Sequence, residues 1–165
     1  AKKIPTHVGS VRVYASRVKY KTTNSYKALV RQEAKYNNLN KTLSSFANKV
    51  KIPKLKILNL LSNLKLKNKK IVGISAPSRA STLINYLGLD NSMIDYICEI
   101  KGSLKINKYI PGTNIAVLDE KYLYDDQPDY ALLFSWHISK DIIFNLRKKG
   151  FKGKFIIPLP NPTIV

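Results

Sequence analysis

The sequence predicts an α/β domain: a mostly parallel, five-stranded sheet with helices on both faces, preceded by a helical segment. Three observations carry that prediction. From Ile71 onward, short apolar runs alternate with helix-patterned stretches, which requires a parallel sheet covered on both sides. Between about Ser25 and Leu66 the apolar residues instead recur at helical spacing. The third observation is the stretch Ile71-Val-Gly-Ile-Ser-Ala-Pro-Ser-Arg-Ala-Ser-Thr-Leu-Ile-Asn-Tyr86. An apolar run there ends in small residues and opens into a helical pattern, the outline of a strand, a tight turn and a helix N-terminus where α/β domains hold phosphates.

The elements follow in order. Val11-Arg-Val-Tyr-Ala-Ser16 alternates like a strand, and residues 1–23 read as the last strand of a preceding domain. Leu29, Tyr36, Leu39, Leu43, Phe46 and Val50 form one helical stripe, with Asn24 or Ser25 able to cap its start. Pro53 is expected to interrupt that helix, and a second helical stretch covers about Leu55–Leu66. Strands are then expected at Ile71–Ile74, Ile94–Cys98, Ile115–Leu118, Tyr130–Ser135 and Lys154–Ile157. Helices fall at Ser78–Leu87, near Asp119–Tyr124 and at Ser139–Lys149, with Gly88 and Gly150 marking two of their ends. The tail Pro158-Leu-Pro-Asn-Pro-Thr-Ile-Val165 is expected to fold back over the surface. No internal repeat is visible. This divides the chain into residues 1–23, a bracing helical segment 24–68, and the α/β domain 69–165.

Composition narrows the function classes. With 165 residues and 44% hydrophobic content, the chain can bury a sizeable core and is not globally disordered. No apolar run approaches the roughly 20 residues of a membrane span, so no membrane partner is expected. The single cysteine, Cys98, excludes an internal disulfide and fits a reducing, cytoplasmic setting. It lies in an apolar run and reads as a buried structural thiol. The net charge of +19 invites a nucleic-acid reading. Yet only five of the 29 basic residues are arginine, the bidentate reader of phosphate and guanine, and the lysines are spread along the chain. A solvated lysine-rich surface comes first, then attraction for a small anionic substrate, and nucleic acid last.

Ligands of open parallel sheets bind beyond the carboxyl ends of the strands. Ser75-Ala76-Pro77-Ser78-Arg79-Ala80-Ser81 meets that condition, as do Glu99 with its loop and the strand end Ser135-Trp136-His137. The first loop offers backbone N–H groups, hydroxyls and one guanidinium, which suit a phosphate or carboxylate. The plain alternative is that Ser78 caps the helix and Arg79 is solvated. Glu99 is either an acceptor for ribose hydroxyls or a surface carboxylate. His137, like His7 in its loop, is a base, a substrate contact or a packed ring. No metal-ligand spacing, nucleophile elbow, P-loop or redox pair occurs.

Five blocks in order go further: Gly73–Tyr86, Ile94-Asp-Tyr96, Lys105-Ile-Asn-Lys-Tyr-Ile-Pro-Gly-Thr-Asn-Ile115, Pro128-Asp-Tyr-Ala-Leu-Leu-Phe-Ser-Trp-His137, and Gly153-Lys-Phe-Ile-Ile-Pro-Leu-Pro160. Together they resemble the C-terminal domain of the sugar-nucleotide C-methyltransferases. Thr6-His-Val-Gly-Ser-Val-Arg12 resembles the segment that closes that family's catalytic domain. The resemblance implies a Rossmann-like, substrate-side domain. Ser75–Arg79, Tyr109, Gly112, Thr113, Trp136 and His137, with His7 and Arg12, would line the cleft toward the enzyme's own catalytic domain. The substrate implied is a nucleotide-diphosphate keto-sugar, deprotonated beside its ketone and methylated on carbon. Zinc and S-adenosylmethionine belong to preceding parts, so no cofactor is expected on this fragment, which would be inactive alone. A homodimer is a further implied partner, through the helices before Lys69. Ser75, Arg79, Ala80 and Ser81 stand where the family's turn carries glycine, lysine, glycine and asparagine; Val8 and Asn107 replace glycines and Glu99 an aspartate. Each added β-carbon narrows the room for a ligand.

Overall fold

The computed structural model describes residues 1–5, 9–36 and 39–165. They cluster into two compact units, Ala1–Val50 and Lys51–Val165. In the first, β1 (Lys2–Ile4) pairs antiparallel with β2 (Ser10–Arg12). Helix α1 (Asn24–Ala34) starts at Thr23, whose hydroxyl accepts from the Tyr26 N–H. The expected cap at Asn24 or Ser25 thus sits one residue earlier. Helix α2 (Leu39–Lys65) begins in this unit and runs into the second. Leu39, Leu43 and Phe46 are more than half exposed. The helical period is right, but the two short strands of this unit offer no broad apolar face for the stripe to meet.

Pro53 does not end the helix. It lies inside the continuous α2, against the expected break. Its ring removes one hydrogen bond, while Ile57, Leu61 and Leu64 bury against the sheet and hold the C-terminal turns in place.

The second unit is a mixed α/β structure with a seven-stranded, mostly parallel sheet. Its strands are β3 (Ile71–Ile74), β4 (Ile97–Glu99), β5 (Lys108–Tyr109), β6 (Ala116–Asp119), β7 (Tyr130–Leu133), β8 (Lys154–Ile157) and β9 (Thr163–Ile164), in spatial order β5-β6-β4-β3-β7-β8-β9. The five expected strands form the parallel centre. The count of five is corrected by β5 and β9, antiparallel two-residue edges too short to carry an alternation signal. The proline-rich tail does return over the surface, and there it becomes β9; prolines are tolerated at such edges. From β3 the chain moves outward to β4 and β6, then returns to lay β7 and β8 on the other side. The direction of winding therefore reverses between β3 and β7, the position where open α/β sheets form a ligand crevice.

Two apolar layers cover the sheet. On one face α2 and α3 (Ser78–Leu87) pack through Ile57, Leu61, Ala80 and Ile84. On the other, α4 (Lys121–Asp126) and α5 (Ser139–Lys148) contribute Leu123 and Leu146, with Phe151 and Phe155 in edge contact at 5.1 Å. Gly73 sits mid-sheet in β3 because a β-carbon there would come within 2.6 Å of Ile97 and 2.7 Å of Phe134.

Three aspartates tie down the amino end of β3. Asp95 accepts from Ile71 N–H and Lys65, and Asp129 from Lys70 N–H and Lys69. Asp126 pairs with Lys70 at 2.5 Å and accepts from the Tyr96 hydroxyl at 2.6 Å. Hydrogen bonds to Lys69 and Lys70 respectively hold Asp129 and Asp126 below the usual carboxylate range. A carboxylate with a depressed folded-state pKa stabilises the fold above its unfolded value, about 3.9, and that contribution disappears as pH falls through the folded value. Asp129→Asn is expected to flatten the loss of stability below about pH 4, read by thermal melts across the acid range. An unchanged acid profile would refute the role given to this clamp.

Candidate functional site

The carboxyl end of β3 turns sharply at Ser75, whose φ of 63° is left-handed. Asn107 has the same φ of 63° in the loop after β4. Both are positions where the family resemblance implies glycine. A serine in this region carries a cost of order 1 kcal/mol, while asparagine enters it more easily. The glycine-type backbone is thus kept by residues that bring side chains with it. Ser75 uses its hydroxyl to bond Ser135 Oγ at 2.8 Å, linking the ends of β3 and β7 across the reversal point.

The next peptide is gripped on both sides. Ala76 N–H donates to Glu99 Oε1 at 2.6 Å, and Lys105 Nζ donates to the Ala76 carbonyl at 2.7 Å. Lys105 and Glu99 face each other at 3.8 Å. Glu99 is therefore neither a surface carboxylate nor a free acceptor for ribose. It is 9% exposed and its Oε1 is spent on the turn. Its position as the last residue of β4, the strand beside β3, puts it within reach.

Pro77 occupies the N-cap of α3 with extended backbone and makes no side-chain cap bond. The capping alternative for Ser78 does not hold, since Ser78 is the first residue inside the helix and exposed. Arg79 points the other way, across to β7. The expected strand over Tyr130–Ser135 stops at Leu133, and Trp136–Ile138 forms a single 3-10 turn. Arg79 Nη1 lies 3.0 Å from His137 Nδ1, with its guanidinium 5.7 Å from the centre of the Trp136 ring. Arginine only donates, so in this contact His137 Nδ1 is the acceptor. The solvated alternative for Arg79 is replaced by a partly buried arginine–histidine–tryptophan corner.

On the other flank of α3 lies a cavity of about 280 Å³, lined by Ser78, Ser81, Lys105, Lys108, Tyr109 and Pro111 among others. Ser78 and Ser81, three apart, share one helix face, and Arg79 is turned away from it. The pleat sorts the β5 residues. Lys108 pairs with Val117, which is buried in the layer under α2 and α3, whereas Tyr109 pairs with Ala116. The Lys108 side chain therefore shares the cavity's face. Gly112 and Thr113 serve their own loop. Gly112 has φ 81° and leaves no room for a β-carbon beside Asn85 Oδ1, while Thr113 Oγ1 donates to the Ile110 carbonyl and accepts from Ile115 N–H.

Of the residues singled out from sequence, Ser75, Ala76, Pro77, Ser78, Arg79, Trp136 and His137 come together at the ends of β3 and β7. Arg12 lies in β2 of the other unit, exposed. His7 lies outside the described residues. Lys105 and Lys108 were missed. The available signal was Lys105-Ile-Asn-Lys108, with asparagine at the third position of a four-residue turn that closes from Lys108 N–H to the Lys105 carbonyl. Cys98 is buried, and burial pushes its thiol up to about 12, so it is no nucleophile at neutral pH.

Among the described residues no three histidine, cysteine, aspartate or glutamate side chains are placed to hold a metal ion, and no helix is long and apolar enough to cross a membrane. The model of the C-methyltransferase C-terminal domain matches residues 5–160. C-methyltransferase NovU of Streptomyces niveus is 31% identical over 112 residues, covering 66% of this chain and 26% of that protein. The aligned part is thus about a quarter of the relative's length. A family match over residues 5–160, nearly the whole chain, and a sheet that reverses where the polar cluster sits mean that the chain belongs to the C-methyltransferase C-terminal domain family.

Proposed function

We propose that the chain is the substrate-side, Rossmann-like domain of an S-adenosylmethionine-dependent C-methyltransferase acting on a nucleotide-activated keto-sugar. One observation supports this most: in a member of this family, Ser75–Arg79 and Ser135–His137 converge where the sheet reverses. S-adenosylmethionine, held by a preceding catalytic domain together with a structural zinc in a further module, supplies the methyl group. No residue of this chain is assigned to either, and the fragment alone is inactive. Residues 1–23 close the catalytic domain, 24–68 brace it, and 69–165 face the substrate in a cytoplasmic enzyme. Arg79 and the nearby hydroxyls bind diphosphate or sugar oxygens, and Trp136 supplies a flat wall. His137 accepts from Arg79 through Nδ1 and so orients the guanidinium.

The test is Arg79→Ala in the intact methyltransferase. Losing a charge-assisted contact is expected to raise KM for the nucleotide-sugar about tenfold or more, with a smaller change in kcat. An unchanged KM removes Arg79 from the site. A second reading, a bracing or dimerisation domain, then takes its place; the exposed stripe Leu39, Leu43 and Phe46 favours it.

A further inference from the structure

We propose that the cavity between α3 and β5 is a phosphate subsite, with Lys108 as its principal cation and Lys105, Ser78 and Ser81 completing it. The inference concerns residues beyond the arginine–histidine corner. As to the ligand, the diphosphate of a nucleotide-sugar, it rests on the function proposed above.

The cavity of about 280 Å³ has fixed walls. Asn85 Nδ2 bridges the Ser81 and Pro111 carbonyls at 2.8 and 2.9 Å, pinning the loop over α3. Its floor includes the buried residues Ala76, Ile110 and Val117. Two ammonium groups come from the two ends of one tight turn, whose left-handed Asn107 is held by a bond from its N–H to the Val117 carbonyl. Two serines come from one face of α3.

The two lysines are not equivalent. Lys105 is half spent, since it donates to the Ala76 carbonyl and lies 3.8 Å from Glu99. Lys108 has no such carboxylate and is exposed on an edge strand. A cavity lined by two cations and two hydroxyls, with no acid among its lining residues, selects an anion with several oxygens. The register that puts Lys108 beside Val117, itself part of the lining, brings the lysine to this rim.

The experiment is a calorimetric titration of the chain with pyrophosphate at physiological salt, for the wild type and for Lys108→Ala, Arg79→Ala and Lys152→Ala. Lys152 is an exposed lysine near the amino ends of the strands and controls for the general +19 charge. Lys108→Ala should weaken pyrophosphate about tenfold, the loss of one charge-assisted contact, with an unchanged thermal melt. Lys152→Ala should change it by no more than about twofold. Equal losses in Lys108→Ala and Lys152→Ala, or no binding by the wild type, overturn the subsite. Titration with thymidine-diphosphoglucose and uridine-diphosphoglucose separates this from the broader reading. Binding of pyrophosphate that depends on Lys108, with no binding of either sugar nucleotide, leaves the subsite standing and removes the nucleotide-sugar function. Sugar-nucleotide binding that depends on Arg79 and ignores Lys108 does the reverse.

Discussion

Gly73→Ala should lower the unfolding free energy by about 2–3 kcal/mol, a fall of roughly 5–10 °C in Tm for a chain of this size. The added methyl would lie 2.6 Å from Ile97 Cγ1 and 2.7 Å from Phe134 Cε2, well inside contact distance. Neither neighbour can give way easily. Ile97 and Phe134 are fully buried, on the strand beside β3 and just past the end of β7. Packed interiors resolve such overlap by moving backbone or forcing poor rotamers. Phe134→Leu in the same chain should recover part of the loss, because it removes the nearest ring atom, and a double-mutant cycle in urea would measure the coupling. A Gly73→Ala protein within about 0.5 kcal/mol of wild type would show that the packing at β3 is looser than described.

The second large effect is expected at Glu99. Glu99→Ala removes the acceptor for the Ala76 N–H and strips Lys105 of its carboxylate. A buried donor left without a partner costs about 1–3 kcal/mol, and the change should reach about 2 kcal/mol in chemical denaturation. Glu99→Gln keeps an oxygen for Ala76 and loses only the charge, so it should cost about half as much or less. If both variants lose the same amount, charge is what matters at this site and the hydrogen bond to Ala76 contributes little. The turn they support carries Ser75 and leads straight into Ser78 and Arg79. The pair therefore links the stability of the sheet to the shape of the candidate site.

The partition between local and long-range information is visible residue by residue. Ser78–Leu87 was readable because a helix announces itself by its own period, and Gly88 ends it with a left-handed φ of 69°. The parallel core was readable because strands buried on both faces must be apolar throughout, as Ile71–Ile74 is. The edges were not, because pairs such as Lys108–Tyr109 and Thr163–Ile164 are strands only by virtue of the neighbour they bond. Pro53 misled for the same reason. Its local cost is real, but Ile57, Leu61 and Leu64 bury beyond it and outweigh one lost hydrogen bond.

The candidate site divides along the same line. That Ser75–Arg79 and Ser135–His137 lie at strand ends follows from the order of apolar runs, and the five ordered blocks were enough to point to the family. Which of these residues touch was decided by the register of β3 against β7, which aligns Ile74 with Leu133 and so carries Arg79 to His137 and Ser75 to Ser135. The same dependence made Glu99, by sequence either a surface carboxylate or a ribose acceptor, a brace for the turn. It also brought Lys105 and Lys108, two lysines among many in the sequence, to one cavity. Helix and strand periods are properties of a few adjacent side chains. A hydrogen bond between residues about 60 positions apart exists only once the sheet has set both ends in place.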